Sequence, residues 1–261
     1  MTVDVTRGDG VLRLVLDRPA RRNAVSTEMI ATLVAALEAA AVDDELRVIA
    51  LTGAGPDFCS GVDWVATNDA GRRPRAGHLT RRTPLGAHRV IQLLHDVQLP
   101  VVCAVRGWAV GFGLGLALAA DFTVAASDAT FWAPFARRGF TPDSGSTWVL
   151  PRLVGVARAK ELLLLGRQID GARAESLGLI HRAVDGHALD TAVAGLVAEL
   201  AAGPTVALGL AKAAIHASLE GPLDRAMAGE VRALELAART SDFKEGLSAF
   251  RERREPTFEG R

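Results

Sequence analysis

The run Val101-Val102-Cys103-Ala104-Val105-Arg106-Gly107-Trp108-Ala109-Val110-Gly111-Phe112-Gly113-Leu114-Gly115-Leu116 decides how this chain is read. Five apolar residues make a buried strand, a break follows at Arg106-Gly107, and a helical apolar pattern then continues to Ala120. A strand that passes through glycines into a helix leaves bare N–H groups at the helix N-terminus, where negative charge is favoured. Alternate glycines remove the side chains that would cover those donors. Further on, past Asp121 and a β-like run to Ala126, comes Gly139-Phe140-Thr141-Pro142-Asp143-Ser144-Gly145. The stretch reads as an anion or oxyanion site with one carboxylate, Asp143, downstream of it.

Upstream, residues 3–5 and 11–16 alternate with period two around Gly8-Asp9-Gly10, which predicts a hairpin. Ser26 stands as N-cap before a helix whose Met29, Leu33, Leu37 and Ala40 share a face. Residues 48–52 read as a buried strand and residues 85–97 as a helix, while residues 67–84 lack apolar periodicity and read as a mobile loop. Strands alternating with helices predict a parallel, right-handed βα succession. After about residue 186 only helical patterns remain, at 187–201, 204–219, 222–239 and 241–254. Such a tail packs on its own core or on a neighbour's.

A length of 261 residues suits one main domain with an appendage. Lys and Arg total 30, as do Asp and Glu, and this balance argues against a nucleic-acid binder held by bulk charge. Asp121 interrupts the most apolar run, so no membrane span is expected. Cys59 and Cys103 are the only cysteines, which points away from a disulfide framework and towards a reducing, cytoplasmic compartment. The histidines show no metal-ligand spacing, so no metal is expected. Gly111-Phe112-Gly113-Leu114-Gly115 does not match the dinucleotide fingerprint, and no phosphate-binding Gly-Lys-Ser/Thr occurs.

Five segments, in order, resemble the signatures of the enoyl-CoA hydratase/isomerase (crotonase) family. They are Arg18-Pro19-Ala20-Arg21-Arg22-Asn23-Ala24-Val25-Ser26, then Leu51 through Phe58-Cys59-Ser60-Gly61-Val62-Asp63, then Val105 to Asp121. Leu150-Pro151-Arg152-Leu153-Val154-Gly155 and the ending from Asp242-Phe243-Lys244-Glu245-Gly246 to Phe258 complete them. The resemblance implies an α/β fold, a spiral of ββα units over residues 1–200 with a helical trimerisation region over 201–261. It implies an acyl-CoA thioester as substrate, no cofactor beyond that CoA, and a homo-oligomer, a trimer or a dimer of trimers. Two backbone N–H groups would hold the thioester oxygen, and their positions map to Ser60 and Phe112. Arg18, Arg21 and Arg22 fall in the CoA-phosphate region, with Arg253 or Arg254 reaching the nucleotide end from a neighbouring subunit. Asp63 frames the adenine pocket, Cys59 and Gly61 flank the oxyanion turn, and Trp132 and Phe135 line the acyl pocket.

The chain departs from the hydratases at the two positions that carry their carboxylates, which here hold Gly115 and Phe135. Neither can move a proton. Asp143 instead matches the aspartate of the ring-epoxide and double-bond isomerases of the family, and the nucleophile of its dehalogenase branch. One carboxylate beside an oxyanion hole suffices for an allylic shift. The resemblance therefore implies an isomerase first, with Asp143 as acid/base. Behind it stand weak hydratase activity, a dehalogenase-like or thioester-hydrolysing activity with His88 as helper, and an inert acyl-CoA binder.

Overall fold

The computed structural model describes residues 2–63 and 75–261, and the fold is mixed α/β with a C-terminal helical region. Strands β1 (Thr2–Gly8) and β2 (Val11–Asp17) form the expected hairpin. Asp9 and Gly10 both take positive φ, 54° and 72°, as the tight two-residue turn demands. β3 (Val48–Gly53), β4 (Val101–Val105), β6 (Phe122–Ala126) and β9 (Arg182–Val184) then add in parallel, giving the order β1-β2-β3-β4-β6-β9. All of β4 is buried, because helices cover both faces of the sheet. A smaller sheet is made of β5 (Trp108–Val110), β7 (Thr130–Trp132) and β8 (Gln168–Asp170).

Helix α1 (Thr27–Ala40) starts at Ser26, whose side chain accepts from Met29 N–H, and buries Met29, Leu33, Leu37 and Ala40. Helix α2 (His78–Arg82) lies where the sequence reads as irregular, because it buries no residue and so leaves no apolar period to see; the part of that reading on residues 67–74 lies outside the described residues. Helix α3 (Ala87–Asp96) packs Val90, Ile91 and Leu94 inward beside α4 (Phe112–Ala119), every residue of which is buried. Helix α5 (Ser146–Leu164) is broken at Gly155, and α6 (Gly171–Ser176) follows β8. Helix α7 (Leu189–Ala202) covers the far face of the sheet, where Val197 meets Val11, Val48 and Val102.

The last helices are α8 (Thr205–Ser218), α9 (Leu223–Ala237) and α10 (Ser241–Glu252). α8 is seated on the core along one face. Gly209 lies so close to Gln98 that a methyl group there would come within 2.7 Å of its carbonyl oxygen. Lys212 Nζ reaches Asp121 Oδ2 at 2.7 Å and the carbonyl oxygens of Leu94 and Leu99 at 3.2 and 3.4 Å. His216 stacks on His95 of α3 with ring centroids 3.8 Å apart. α9 packs along α8 and buries none of its own residues, leaving Leu223, Met227, Val231 and Leu234 exposed on one stripe. Among the described residues no single helix is long and apolar enough to cross a membrane.

Candidate active site

The strand segment after β3 is held by alternating backbone bonds. Cys59 bridges in parallel to Ala109 of β5, and Val62 bridges in parallel to Val25. Val25 N–H donates to Gly61 O at 2.8 Å and Asp63 N–H to Val25 O at 3.0 Å, so the Val62 N–H between them faces the other way. Val62 N–H has no protein acceptor among the described residues. Gly61 between the two bridges has φ 102° and lies against β5 and α4; a methyl on it would stand 3.0 Å from Val110 O and 3.8 Å from Phe112 N. Only glycine takes such a conformation without strain.

Phe112 opens α4 behind Gly111, whose φ of 55° turns the chain from β5 into the helix. The first bond onto Gly111 O comes from Gly115 N–H at 3.0 Å, so among the described residues the Phe112 N–H is an unpaired donor at a buried helix N-terminus. The structure thus brings two free donors, of Val62 and Phe112, to one side of Gly61.

Ser60 is a correction. Its N–H donates to Arg22 O at 2.9 Å and is spent inside the fold, so it is not free to hold an oxyanion. The donor two residues on was missed because the direction of an N–H follows from strand pairing, and nothing in Ser60-Gly61-Val62 reveals the bridge to Val25. Cys59 is also corrected: its side chain is fully buried and cannot touch substrate. Burial pushes its thiol up to about 12, against a smaller opposing effect of the Gly61 backbone. The Phe112 ring packs into the core as well, leaving only its N–H to the site.

The carboxylate lies on the other flank of α4. Asp143 Oδ1 accepts from Ser144 N–H at 2.7 Å and lies 2.5 Å from His88 Nε2 at the start of α3. Oδ2 has no protein partner among the described residues. Asp143 is not a side-chain cap for α5, whose N-cap is Gly145; it is its main-chain oxygen that accepts from Ser146 N–H and Oγ. Asp143 and His88 border a cavity of about 720 Å³ whose walls include Leu79, Pro84, Arg138 and Phe140.

The hydratase positions hold no carboxylate, and the first has no room for one. A methyl on Gly115 would lie 2.8 Å from Ser144 Cβ and 2.9 Å from Ser144 O. Phe135 is buried, with its ring edge-on to Phe140 at 5.7 Å, so it backs the cavity wall through Phe140. Trp132 is a correction: its Nε1–H donates to Gly166 O at 2.9 Å, and it stands outside the walls of the Asp143 cavity. The arginines separate too. Arg18 is half-buried, paired with Asp63 at 2.8 Å and donating to Ala24 O, so both members of this expected binding pair are engaged within the fold. Arg21 and Arg22 are exposed, Arg22 lying over the Trp108 ring, and Arg253 is exposed at the end of α10.

Comparison with known proteins places the chain in a family. The family model described as "Enoyl-CoA hydratase/isomerase" matches residues 6–261. The 1,2-epoxyphenylacetyl-CoA isomerase of Escherichia coli (strain K12) is 40% identical over 97% of this chain and 96% of its own. The 2,3-dehydroadipyl-CoA hydratase of the same organism is 34% identical over 98% of each. Among solved structures, an enoyl-CoA hydratase from Bacillus anthracis superposes with a TM-score of 0.92 at 31% identity, covering 99% of both chains. With two free N–H groups beside a glycine strand, a glycine-rich helix behind them and relatives matched along their whole length, the chain belongs to the enoyl-CoA hydratase/isomerase (crotonase) family.

Proposed function

We propose that this member of the family is an enoyl-CoA isomerase that moves a double bond through an enolate. The observation that carries the reading is the exchange of carboxylates: Gly115 and Phe135 stand where hydratases keep their acids, while among the described residues Asp143 is the one carboxylate that borders the cavity, with Oδ2 unpaired. Val62 and Phe112 N–H receive the thioester oxygen. Asp143 Oδ2 takes the proton from C2 of a 3-enoyl thioester, the electron pair moves onto that oxygen as a dienolate, and the same carboxyl returns the proton at C4 to give the 2-enoyl product. The two fixed donors stabilise the charge as it develops, an effect of roughly 3–4 kcal/mol for each donor lost. His88 and Ser144 N–H hold the other oxygen, Oδ1, and so orient the base. The aromatic pair Phe135–Phe140 and the ring-epoxide name of the 40%-identical relative both favour a ring-bearing acyl group.

Mixing the protein with 3-enoyl-CoA and 2-enoyl-CoA in deuterated water tests this. Deuterium at C2 and C4 with a shifted double bond, lost in Asp143→Asn, is expected. Clean 3-hydroxyacyl-CoA would overturn it. No turnover with retained acyl-CoA binding would favour the inert binder.

The His88–Asp143 contact also favours a second reading, in which Asp143 attacks a halogen-bearing carbon of the acyl group and expels halide. His88 then takes a proton from water as it attacks the carbonyl of the resulting aspartyl ester, which releases the hydroxylated acyl group and restores the carboxylate. A single turnover in ¹⁸O-water that labels Asp143 would select it. We further infer that residues 201–261 assemble the chain as a trimer or a dimer of trimers, because the Leu223–Met227–Val231–Leu234 stripe is unpartnered within one chain. Light scattering on the purified protein reads this directly.

A further inference from the structure

Helix α4 is a spacer between the two halves of the site. On one side Gly113 presses on the oxyanion strand, so that a methyl there would lie 2.7 Å from Cys59 Cβ. Two residues on, Gly115 presses on the Asp143–Ser144 turn, where a methyl would lie 2.8 Å from Ser144 Cβ, 2.9 Å from Ser144 O and 3.4 Å from Ile91 Cδ1. Positions two apart on an α-helix point about 200° apart. The strand and the turn are therefore seated on opposite flanks of one bare stretch of backbone. Gly115 is also only about 4.5 Å along the axis from Phe112, at the rise of an α-helix.

The Ser144 contact has no slack. Ser144 is 3% exposed, its φ is 58°, and its N–H is one of the two groups that hold Asp143 Oδ1. Ile91 belongs to α3, the helix that carries His88, the other holding group. A methyl at 115 pushes on the Ser144 support of Asp143 and comes into contact with Ile91 on the helix that carries the other.

We propose that Gly115 is a positioning residue: its bare backbone is the seat that brings Asp143 to the oxyanion donors. In this chain a hydratase-type carboxylate at position 115 and the Asp143 base exclude one another. The absence of the hydratase acid is then a requirement of the present site and not a bare loss. This rests on the reading of Asp143 as the acid/base.

The test uses the full-length Gly115→Ala variant and the double variant Gly115→Ala/Ser144→Gly. The second removes the nearer clashing atom and places glycine at a positive-φ position. Two readouts are taken. One is kcat and KM for the deuterium-exchange reaction. The other is the His88 side-chain signal in a histidine-selective ¹H–¹⁵N spectrum, which reports the Asp143 contact with no substrate present. Gly115→Ala is expected to lower kcat roughly tenfold to a hundredfold, the scale of an ångström's misplacement, with KM little changed and the His88 signal moved. The double variant is expected to bring both readouts back towards wild type. If the wild type turns over no substrate, the functional reading fails while the His88 signal still tests the seat. A folded Gly115→Ala protein with wild-type kcat and an unmoved His88 signal overturns the proposal. Should Gly115→Ala fail to fold, the double variant decides: recovery supports the seat, and failure of the double variant to fold or to restore the His88 signal overturns it.

Discussion

Replacing Gly61 by alanine adds one methyl group where the two free donors meet. The backbone there has φ 102°, and an L side chain at positive φ costs roughly 1–2 kcal/mol. The methyl carbon would stand 3.0 Å from Val110 O and 3.8 Å from Phe112 N. A thioester oxygen held at roughly 2.7–3.1 Å from that nitrogen competes with it for the same opening. Loss of one oxyanion donor is worth roughly 100- to 1,000-fold in kcat. The stability cost, at roughly 2–4 °C per kcal/mol for a chain of this size, lowers melting by only about 2–8 °C. The catalytic loss dominates, so the variant is expected to be folded at 25 °C and nearly dead. Deuterium exchange at the acyl carbons, run beside a thermal melt, measures both. The reasoning is refuted if Gly61→Ala exchanges at the wild-type rate, or if its activity falls only in step with the fraction unfolded.

Lys212→Met leaves the half-buried Asp121 with only Val101 N–H as partner among the described residues; breaking a fully buried pair costs roughly 3–5 kcal/mol, and this part-buried one should cost less. A melt should show it, and Lys212→Met/Asp121→Asn should regain part of the loss; equal melting of wild type and Lys212→Met would contradict the contact's weight. Burial chiefly, then the neighbouring His95 and Lys212, holds His216 below its ordinary 6.5, with Asp121 and Asp96 opposing. The folded chain thus binds fewer protons there than the unfolded one, so this contribution to stability is present above pH 6.5 and lost as the pH falls below it. His216→Gln should flatten the dependence of melting temperature on pH in that window, and an unchanged slope would count against it. Burial pushes both thiols up, Cys59 to about 12 and Cys103 higher still, so neither should be alkylated by iodoacetamide at pH 8 until the chain is denatured.

The parts of the site that depend on residue type were legible before any coordinates. Gly111 to Gly115 announced a helix N-terminus with exposed donors, Asp143 stood out as a carboxylate where the hydratase acids were missing, and the Ser26 cap and the Gly8–Gly10 turn read correctly. What depends on pairing did not. The Ser60 N–H is turned to Arg22 O by the local strand geometry, which is invisible in Cys59-Ser60-Gly61-Val62. Arg18 looked like a phosphate ligand because it is an arginine in the right segment, yet Asp63 across the fold claims its guanidinium. Trp132 faced the same difficulty, with Gly166 O taking its ring N–H. Spacing alone does not place His88; the packing of α3 against the Asp143 turn brings the two side chains together.

Helix α3 has His88 in its first turn and His95 in its last, about 10 Å apart at the rise of an α-helix. One end touches Asp143; the other is the stacking surface for α8, on which α9 rides. A short rigid rod joined at both ends works as a lever. If the tail takes a neighbour as proposed, a shift on that neighbour's arrival or departure would reach the imidazole beside Asp143 through these two contacts. Turnover per chain should then vary with protein concentration across the range where the tail gains and loses its partner.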